Sequence, residues 1–374
     1  MIEKTIRFTI NWLKYLNRSR RNFFRHRRMK AVDAKCKRRG HITGTIRKVL
    51  LICTSKGWGD CLYLMGLALR MKKLGINPAI AIPKEYLDRY LGCPVIDRIF
   101  VLENKSVVQE IQIFSPDICF DLTYTNLHAW LERVAILKSI DCPVYSAFEM
   151  ANNLNIYSGV VPYKTREHIS ARLALVLERI TGKCESPVSP FTWYTDEAEE
   201  WANHFLKDSF GESKKKYIYI NQFAGDFDRC LTERQIDRIV RTVTEFAEVR
   251  IIVNSKAELC GTDNQVVHLP LINFHQLTAL ISKVFLVITP DTSITHIASC
   301  YDVPSIVIFP PNDRDFWPQY RAADVWCGLS NKTLTLYQDD IGLSVGALGY
   351  ANYKPKKNSN YSEFFLCGMI RRFI

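Results

Sequence analysis

Three consecutive residues, Asp291, Thr292 and Ser293, have the types and the spacing to hold a phosphate. They follow a short apolar, β-branched run, Leu286 to Ile288, and then Pro290, where the backbone is expected to leave a buried strand. Ile294, Ile297 and Ala298 form the apolar side of a helix that begins at this point. Ser305 to Phe309 is a second apolar run about one helix further on, which is the spacing of a βαβ unit in a parallel sheet. The turn is therefore expected at the carboxyl end of a strand, where open α/β sheets bind ligands and where N–H groups at a helix start hold phosphate. His296, one turn into the helix, would be near enough to donate a hydrogen bond to that phosphate; a histidine satisfied within the fold competes with this reading.

Two further stretches repeat the strand, loop and helix pattern. KVLLICT, Lys48 to Thr54, is a buried strand, SKGWGD is a glycine-containing loop, and CLYLMGLALRMKKLG has helical spacing. Gly57 and Gly59 lack the third glycine that a dinucleotide-binding fingerprint requires. By itself, Asp60 would be read as a cap for the following helix. The other stretch follows the strand Tyr217 to Ile220 and contains Asp226, Asp228 and Arg229. The Asp226/Asp228 pair is a DxD arrangement of the kind that holds a divalent metal on a nucleotide sugar, but it is too short to be specific, and no metal is expected beside Arg229.

The elements that must position these residues divide the chain in two. Pro78 to Ile82, Arg98 to Leu102 and Asp117 to Leu122 supply strands between helical stretches, so the first half reads as one doubly wound α/β unit. Ile169 to Ile180 and Asp196 to Leu206 read as helices, with SPVSPF, containing Pro187 and Pro190, as the linker between them. Arg250 to Val253 is a further strand. The expected organisation of the 374 residues is a basic amphipathic arm over 1–47, a Rossmann-like domain over 48–187, a second over 191–330, and a loop and helix over 331–374.

The formal charge of +12 belongs to the arm. Residues 1–48 hold sixteen Lys or Arg against Glu3 and Asp33, a balance of 16 − 2 = +14, which leaves 12 − 14 = −2 for the rest. Cations interleaved with Phe23 and Phe24 suit a segment lying on an anionic membrane, with packing on the protein body as the alternative. RNA binding is disfavoured, because no RNA-recognition motif accompanies the charges. No apolar stretch approaches the roughly 20 residues needed to span a bilayer, and Lys14 and Arg18 interrupt the only candidate for a signal-peptide core. Twelve scattered cysteines without a CxxC pair fit a reduced protein with buried thiols.

TPDTSITHIAS followed by a strand and PPNDRDFWP, together with KVLLICTSKGWGDCLYLMGLALRMKKL, resembles the heptosyltransferase-like glycosyltransferases that build bacterial lipopolysaccharide. The resemblance runs from about Lys48 to Tyr320 and implies an α/β fold of GT-B type, two facing Rossmann-like domains with parallel sheets. It implies that Asp60 is the catalytic base, on an acceptor-side loop with Gly57, Trp58 and Gly59. Arg229, in a loop with Gly225, would be the cation on the leaving diphosphate, although the family's Trp-Pro after this cation is Leu231-Thr232 here. Asp291, Thr292, Ser293 and His296 would take the donor phosphates, Glu258 the ribose and Ile272 the base. The implied activity is inverting transfer of a sugar, heptose being the first candidate, from a nucleotide diphospho-sugar such as ADP-heptose to a lipopolysaccharide or lipooligosaccharide core. The co-substrate replaces any cofactor, no nucleic acid is involved, and the enzyme would work in the cytoplasm, peripheral to the inner face of the bacterial inner membrane through residues 1–40. A nucleotide-sugar epimerase of the same architecture and a non-catalytic, membrane-associated nucleotide-sugar-binding protein are the rival readings.

Overall fold

Alternating apolar runs and amphipathic stretches fold into two six-stranded parallel sheets in the computed structural model of the chain. The structure describes residues 20, 23–24, 27–36, 39–41, 44–54, 57–123, 127–147, 154–161, 167–212, 215–225, 227–245, 249–256, 259, 265–309, 328–329 and 332–337. Two compact units divide them: Met1–Ser55, Met71–Tyr163 and Leu175–Cys184 contribute to the first, and Lys56–Arg70, Lys164–Ala174 and Glu185–Ile374 to the second. Asp60 thus belongs to the same unit as Asp291.

The first sheet contains β1 (Lys48–Ile52), β2 (Asn77–Ile82), β3 (Arg98–Val101), β4 (Ile118–Asp121), β5 (Val144–Ser146) and β6 (Gly159–Val160), in the order β3-β2-β1-β4-β5-β6. Leu50 pairs with Ala79 on one side and with Cys119 on the other. Both faces of these strands are buried, as a parallel sheet covered by helices requires. Leu50, Ile52, Ala79 and Cys119 turn to one of them, where Ile111 and Phe114 of α2 (Val107–Phe114) and Trp130 and Leu137 of α3 (Leu127–Ser139) cover them. Met29, from a helical segment over 27–33, enters the same core. Its neighbour Asp33 accepts the backbone N–H groups of Asn155 (2.6 Å) and Ile156 (2.9 Å), and Arg39 donates to the carbonyls of Leu137, Ile140 and Cys142. This part of the basic arm is packed on the first unit.

The second sheet contains β7 (Lys216–Asn221), β8 (Val249–Asn254), β9 (Val266–His268), β10 (Leu286–Pro290), β11 (Ser305–Phe309) and β12 (Thr333–Tyr337), in the order β12-β11-β10-β7-β8-β9. Counted within its own unit, this is the same topology as the first. In each, the chain reverses its direction of growth between the first and fourth strands, at β1/β4 and at β7/β10. β10 ends at Pro290, which pairs with Ile308, so the backbone leaves the strand where the sequence places its end. Proline is tolerated there because the last residue of a strand can forgo its ladder N–H. Ile236, Ile239, Val240 and Val243 of α6 (Glu233–Thr244) cover one face of this sheet, and a reciprocal capping box between Thr232 and Gln235 starts that helix.

In the second unit, α1 (Trp58–Lys73) is crossed by the segment after α4 (Ile169–Thr181): Phe191 N–H donates to the Leu62 carbonyl at 3.0 Å. The backbone of Ser189 comes so close that a Cβ at Gly66 would stand 1.9 Å from its carbonyl oxygen. α5 (Asp196–Phe210), capped by Thr195, packs Ala198 and Ala202 against Ala279 of α7 (Phe274–Lys283).

The first unit buries a charged network at the end of β4. Arg133 donates to Asp121 Oδ2 through Nη2 (3.0 Å) and Nε (3.3 Å), Tyr157 Oη donates to the same oxygen at 2.7 Å, and Trp130 Nε1 donates to Tyr157 Oη at 3.2 Å. Burial, and then the charge of Asp121, push the Tyr157 phenol well above its ordinary value, so it remains a donor. Removing one partner of such a pair strands a buried charge, at a cost of about 3–5 kcal/mol. Arg133→Met should therefore lower stability by about that much in urea unfolding, and adding Asp121→Asn should recover most of the loss. A single substitution costing under about 1 kcal/mol would show the pair to be unimportant.

Candidate active site

Ten residues from three segments of the second unit line one cavity of about 380 Å³: Gly57 to Asp60, Gly225 and Arg229, and Asp291 to Ser293 with His296. Each segment lies where the topology can use it. Gly225 and Arg229 sit in the loop after β7, and Asp291 to Ser293 in the turn after β10, so the two loops part at the switch point of the second sheet.

Side-chain amides at the strand ends brace this parting. Asn254 Nδ2 donates to Asn221 Oδ1 at 3.0 Å, and Asn221 Nδ2 donates to Thr289 Oγ1 at 3.1 Å and to the Phe223 carbonyl at 2.6 Å. The loop after β7 closes on itself through Cys230, whose Sγ accepts the Ala224 N–H at 3.2 Å, and through Leu231 N–H to the Gln222 carbonyl at 2.9 Å. Arg229, the last residue of a 3-10 turn over Phe227–Arg229, thereby faces Asp291. Its Nη1 donates to Asp291 Oδ2 at 3.0 Å and to the Asp291 carbonyl at 3.4 Å. The Arg229 side chain is 32 % exposed and that of Asp291 9 %, so the ion pair opens on one side to the cavity. Sequence reasoning expects Arg229 immediately before a helix; α6 begins four residues later, at Glu233.

α8 (Ser293–Cys300) starts at the cavity with Thr292 extended at its N-cap and without a side-chain cap. α1 also starts there, with Asp60 in its first turn. Two helix N-termini thus meet one space, each carrying partial positive charge equivalent to roughly half an elementary charge.

The α1 turn is seated on His296. A Cβ at Gly59 would stand 2.9 Å from His296 Cδ2, so only glycine lets the backbone rest on the imidazole. A Cβ at Gly57 would stand 2.7 Å from Asp60 Oδ2, so that glycine gives the carboxylate its room. From the helix side Tyr63, one turn after Asp60, meets His296 edge-on with ring centroids 5.0 Å apart, and His168 at 6.0 Å. Burial, and secondarily the neighbouring His168, lower the His296 pKa to about 3, so the ring is neutral near pH 7 and can donate only one ring N–H.

Trp58 stacks on Phe274 at the start of α7, with centroids 4.3 Å apart and planes 15° from parallel. Ile272 is half-buried two residues earlier and is not among the lining residues. Glu258, Asp226 and the stretch PPNDRDFWP lie outside the described residues, as does the side chain of Asp228. Among the described residues, no group of three or more His, Cys, Asp or Glu is placed to hold a metal ion. Sequence reasoning missed Phe274 and Tyr63; helical spacing from Asp60 was a signal for Tyr63, whereas nothing in the sequence pairs Phe274 with Trp58.

Residues 202–338 match the model of glycosyltransferase family 9 (heptosyltransferase). Over 174 residues the chain is 26 % identical to "Putative lipopolysaccharide heptosyltransferase 4" of Escherichia coli (strain K12), covering 46 % of this chain and 46 % of that protein. The chain thus matches less than half the length of this curated relative. The glycosyl transferase family 9 structure from Veillonella parvula DSM 2008 superposes with a TM-score of 0.64 at 14 % identity, covering 88 % of this chain and 96 % of that one. E. coli heptosyltransferase WaaC with ADP gives 0.53 at 14 % identity, covering 78 % and 93 %. The family model covers the stretch that holds TPDTSITHIAS, and the solved structures show the α/β GT-B type fold. The class shared by these matches is glycosyltransferase.

The lowered His296 pKa has a sign. Unfolded, this histidine takes up its proton near its ordinary value of 6.5; folded, it does so only near 3. Between those values the unfolded chain holds the extra proton, so stability falls as pH drops through that window. The urea midpoint of the wild type should decline between about pH 7 and about pH 5 more steeply than that of His296→Gln. Equal slopes would contradict a neutral, buried His296.

Proposed function

We propose that the cavity binds the diphosphate of a nucleotide diphospho-sugar, and that the protein transfers the sugar with inversion to a lipopolysaccharide or lipooligosaccharide core acceptor. The observation that carries this reading is the meeting of the GWGD turn, the Arg229 loop and the Asp291-Thr292-Ser293 turn around one cavity. The family model adds the heptosyltransferase class, and the WaaC structure with ADP supports an adenine nucleotide, which makes ADP-heptose the first donor to test.

In this mechanism Asp60 removes the proton from an acceptor hydroxyl. The resulting oxygen nucleophile attacks the anomeric carbon from the face opposite the diphosphate, and the carbon–oxygen bond to the diphosphate breaks. The bonding electrons leave on the phosphate oxygen, where Arg229 and the amides at the start of α8 meet the developing charge. Its bond to Asp291 holds the Arg229 guanidinium at the cavity rim. Asp60 serves as the proton acceptor because its carboxylate stands in the cavity lining beside the acceptor-side glycines Gly57 and Gly59. The charge is handled by Arg229 and the helix ends, without a metal. Glu258 and Ile272 are retained as candidates for the ribose and the base. A lipid-linked acceptor and a basic arm over residues 1–40 lying on an anionic membrane would place the enzyme in the cytoplasm, at the inner face of the inner membrane.

Asp60→Asn tests the central step. With ADP-heptose and a core acceptor, kcat should fall by about 10²–10⁴-fold while donor affinity changes little. Equal loss of turnover and donor binding would assign Asp60 a structural role, and donor consumption without acceptor would indicate an epimerase.

A further inference from the structure

Among the described residues, the basic segment near the N-terminus has two faces, of which one packs into the fold. Its described residues at 20, 23–24 and 27–33 are helical. At 100° per residue, Met29, Val32, Asp33 and Cys36 fall on one side, and these are the residues that pack against the first unit. Arg20, Phe23, Phe24, Arg27, Arg28 and Lys30 fall on the other, and all six are exposed. The Phe23 and Phe24 rings are 64 % and 54 % exposed, edge to face at 5.7 Å, with the Arg20 guanidinium 5.9 Å from the Phe24 centroid.

Charge decides what such a face fits. Residues 20–41 contain ten Lys or Arg and a single acid, Asp33. That acid is 4 % exposed and held by two backbone N–H groups, so it contributes nothing to the outer surface. The outer face is therefore cationic with two apolar rings at its centre. A solvated helix has no use for adjacent exposed phenylalanines, whereas a bilayer interface takes the rings at the headgroup boundary while the cations meet lipid phosphates.

We infer that the outward face formed by Arg20, Phe23, Phe24, Arg27, Arg28 and Lys30 is a docking surface for an anionic lipid bilayer, and that the inward residues Met29, Val32 and Asp33 fix the first unit to that surface. Docking of this face rests on a membrane-facing arm and does not depend on sugar transfer. The anchoring through Met29, Asp33 and Arg39 makes the contact a fixed part of the unit rather than a tether.

Co-sedimentation of the full chain with vesicles tests this, using phosphatidylcholine alone and a mixture with phosphatidylglycerol. The wild type should pellet with the mixed vesicles and not with the neutral ones, and salt should weaken the binding. Phe23→Ser with Phe24→Ser, and separately Arg27→Glu with Arg28→Glu, should each lower the partition coefficient by at least about tenfold, with the thermal unfolding temperature unchanged because these side chains face outward. Equal binding to neutral vesicles, or unchanged binding of either variant, would overturn the proposal. So would a short single-stranded RNA that binds the arm and leaves no capacity for mixed vesicles.

Discussion

The ion pair between Arg229 and Asp291 is the contact on which the site depends. It joins the two loops that part at the switch point of the second sheet, and it does so at the rim of a cavity rather than inside the core. A carboxylate beside a helix start is favoured by the helix dipole, so Asp291 is stable next to α8 and in turn holds Arg229 in place. The arrangement prepares the guanidinium for an anion before any ligand arrives. What would otherwise be a long, mobile side chain is aimed by its partner.

The first unit shows what the same topology does with a similar pair when that pair is sealed from solvent. There too an aspartate stands at the carboxyl end of the fourth strand, Asp121, and there too an arginine meets it. Arg133 and Asp121 are 0 % and 1 % exposed, and Tyr157, itself bonded by Trp130, donates to Asp121. The first pair is sealed and structural; the second is open on one side. The difference lies in which element supplies the cation: the helix after the fourth strand in the first unit, and the loop after the first strand in the second. An arginine on that loop crosses the switch point and cannot be covered by the helix packing that buries Arg133.

Much of this was legible in the sequence, and for identifiable reasons. Continuous, β-branched apolar runs such as KVLLI, KYIYIN and SIVIF read as strands buried on both faces, and KVLLI and KYIYIN lie at the centre of their sheets. The Asp291 turn was readable because a strand, a polar triplet and a helical stripe follow one another without interruption. The short strands β5, β6 and β9 escaped notice, since two or three residues carry no periodicity to detect. β12 escaped because the pattern around it is weak. The support of the site was equally hidden. The contact of Gly59 with the His296 ring joins residues far apart in sequence, and the stacking of Trp58 on Phe274 follows from packing alone.

Calorimetric titration with ADP, AMP and adenosine tests the account most directly, because it asks whether the space between the Arg229 loop and the start of α8 is built for a diphosphate. ADP should bind, affinity should fall stepwise as phosphates are removed, and Arg229→Ala should abolish most of the difference between ADP and adenosine. Equal affinity for ADP and adenosine, or ADP binding indifferent to Arg229, would contradict it.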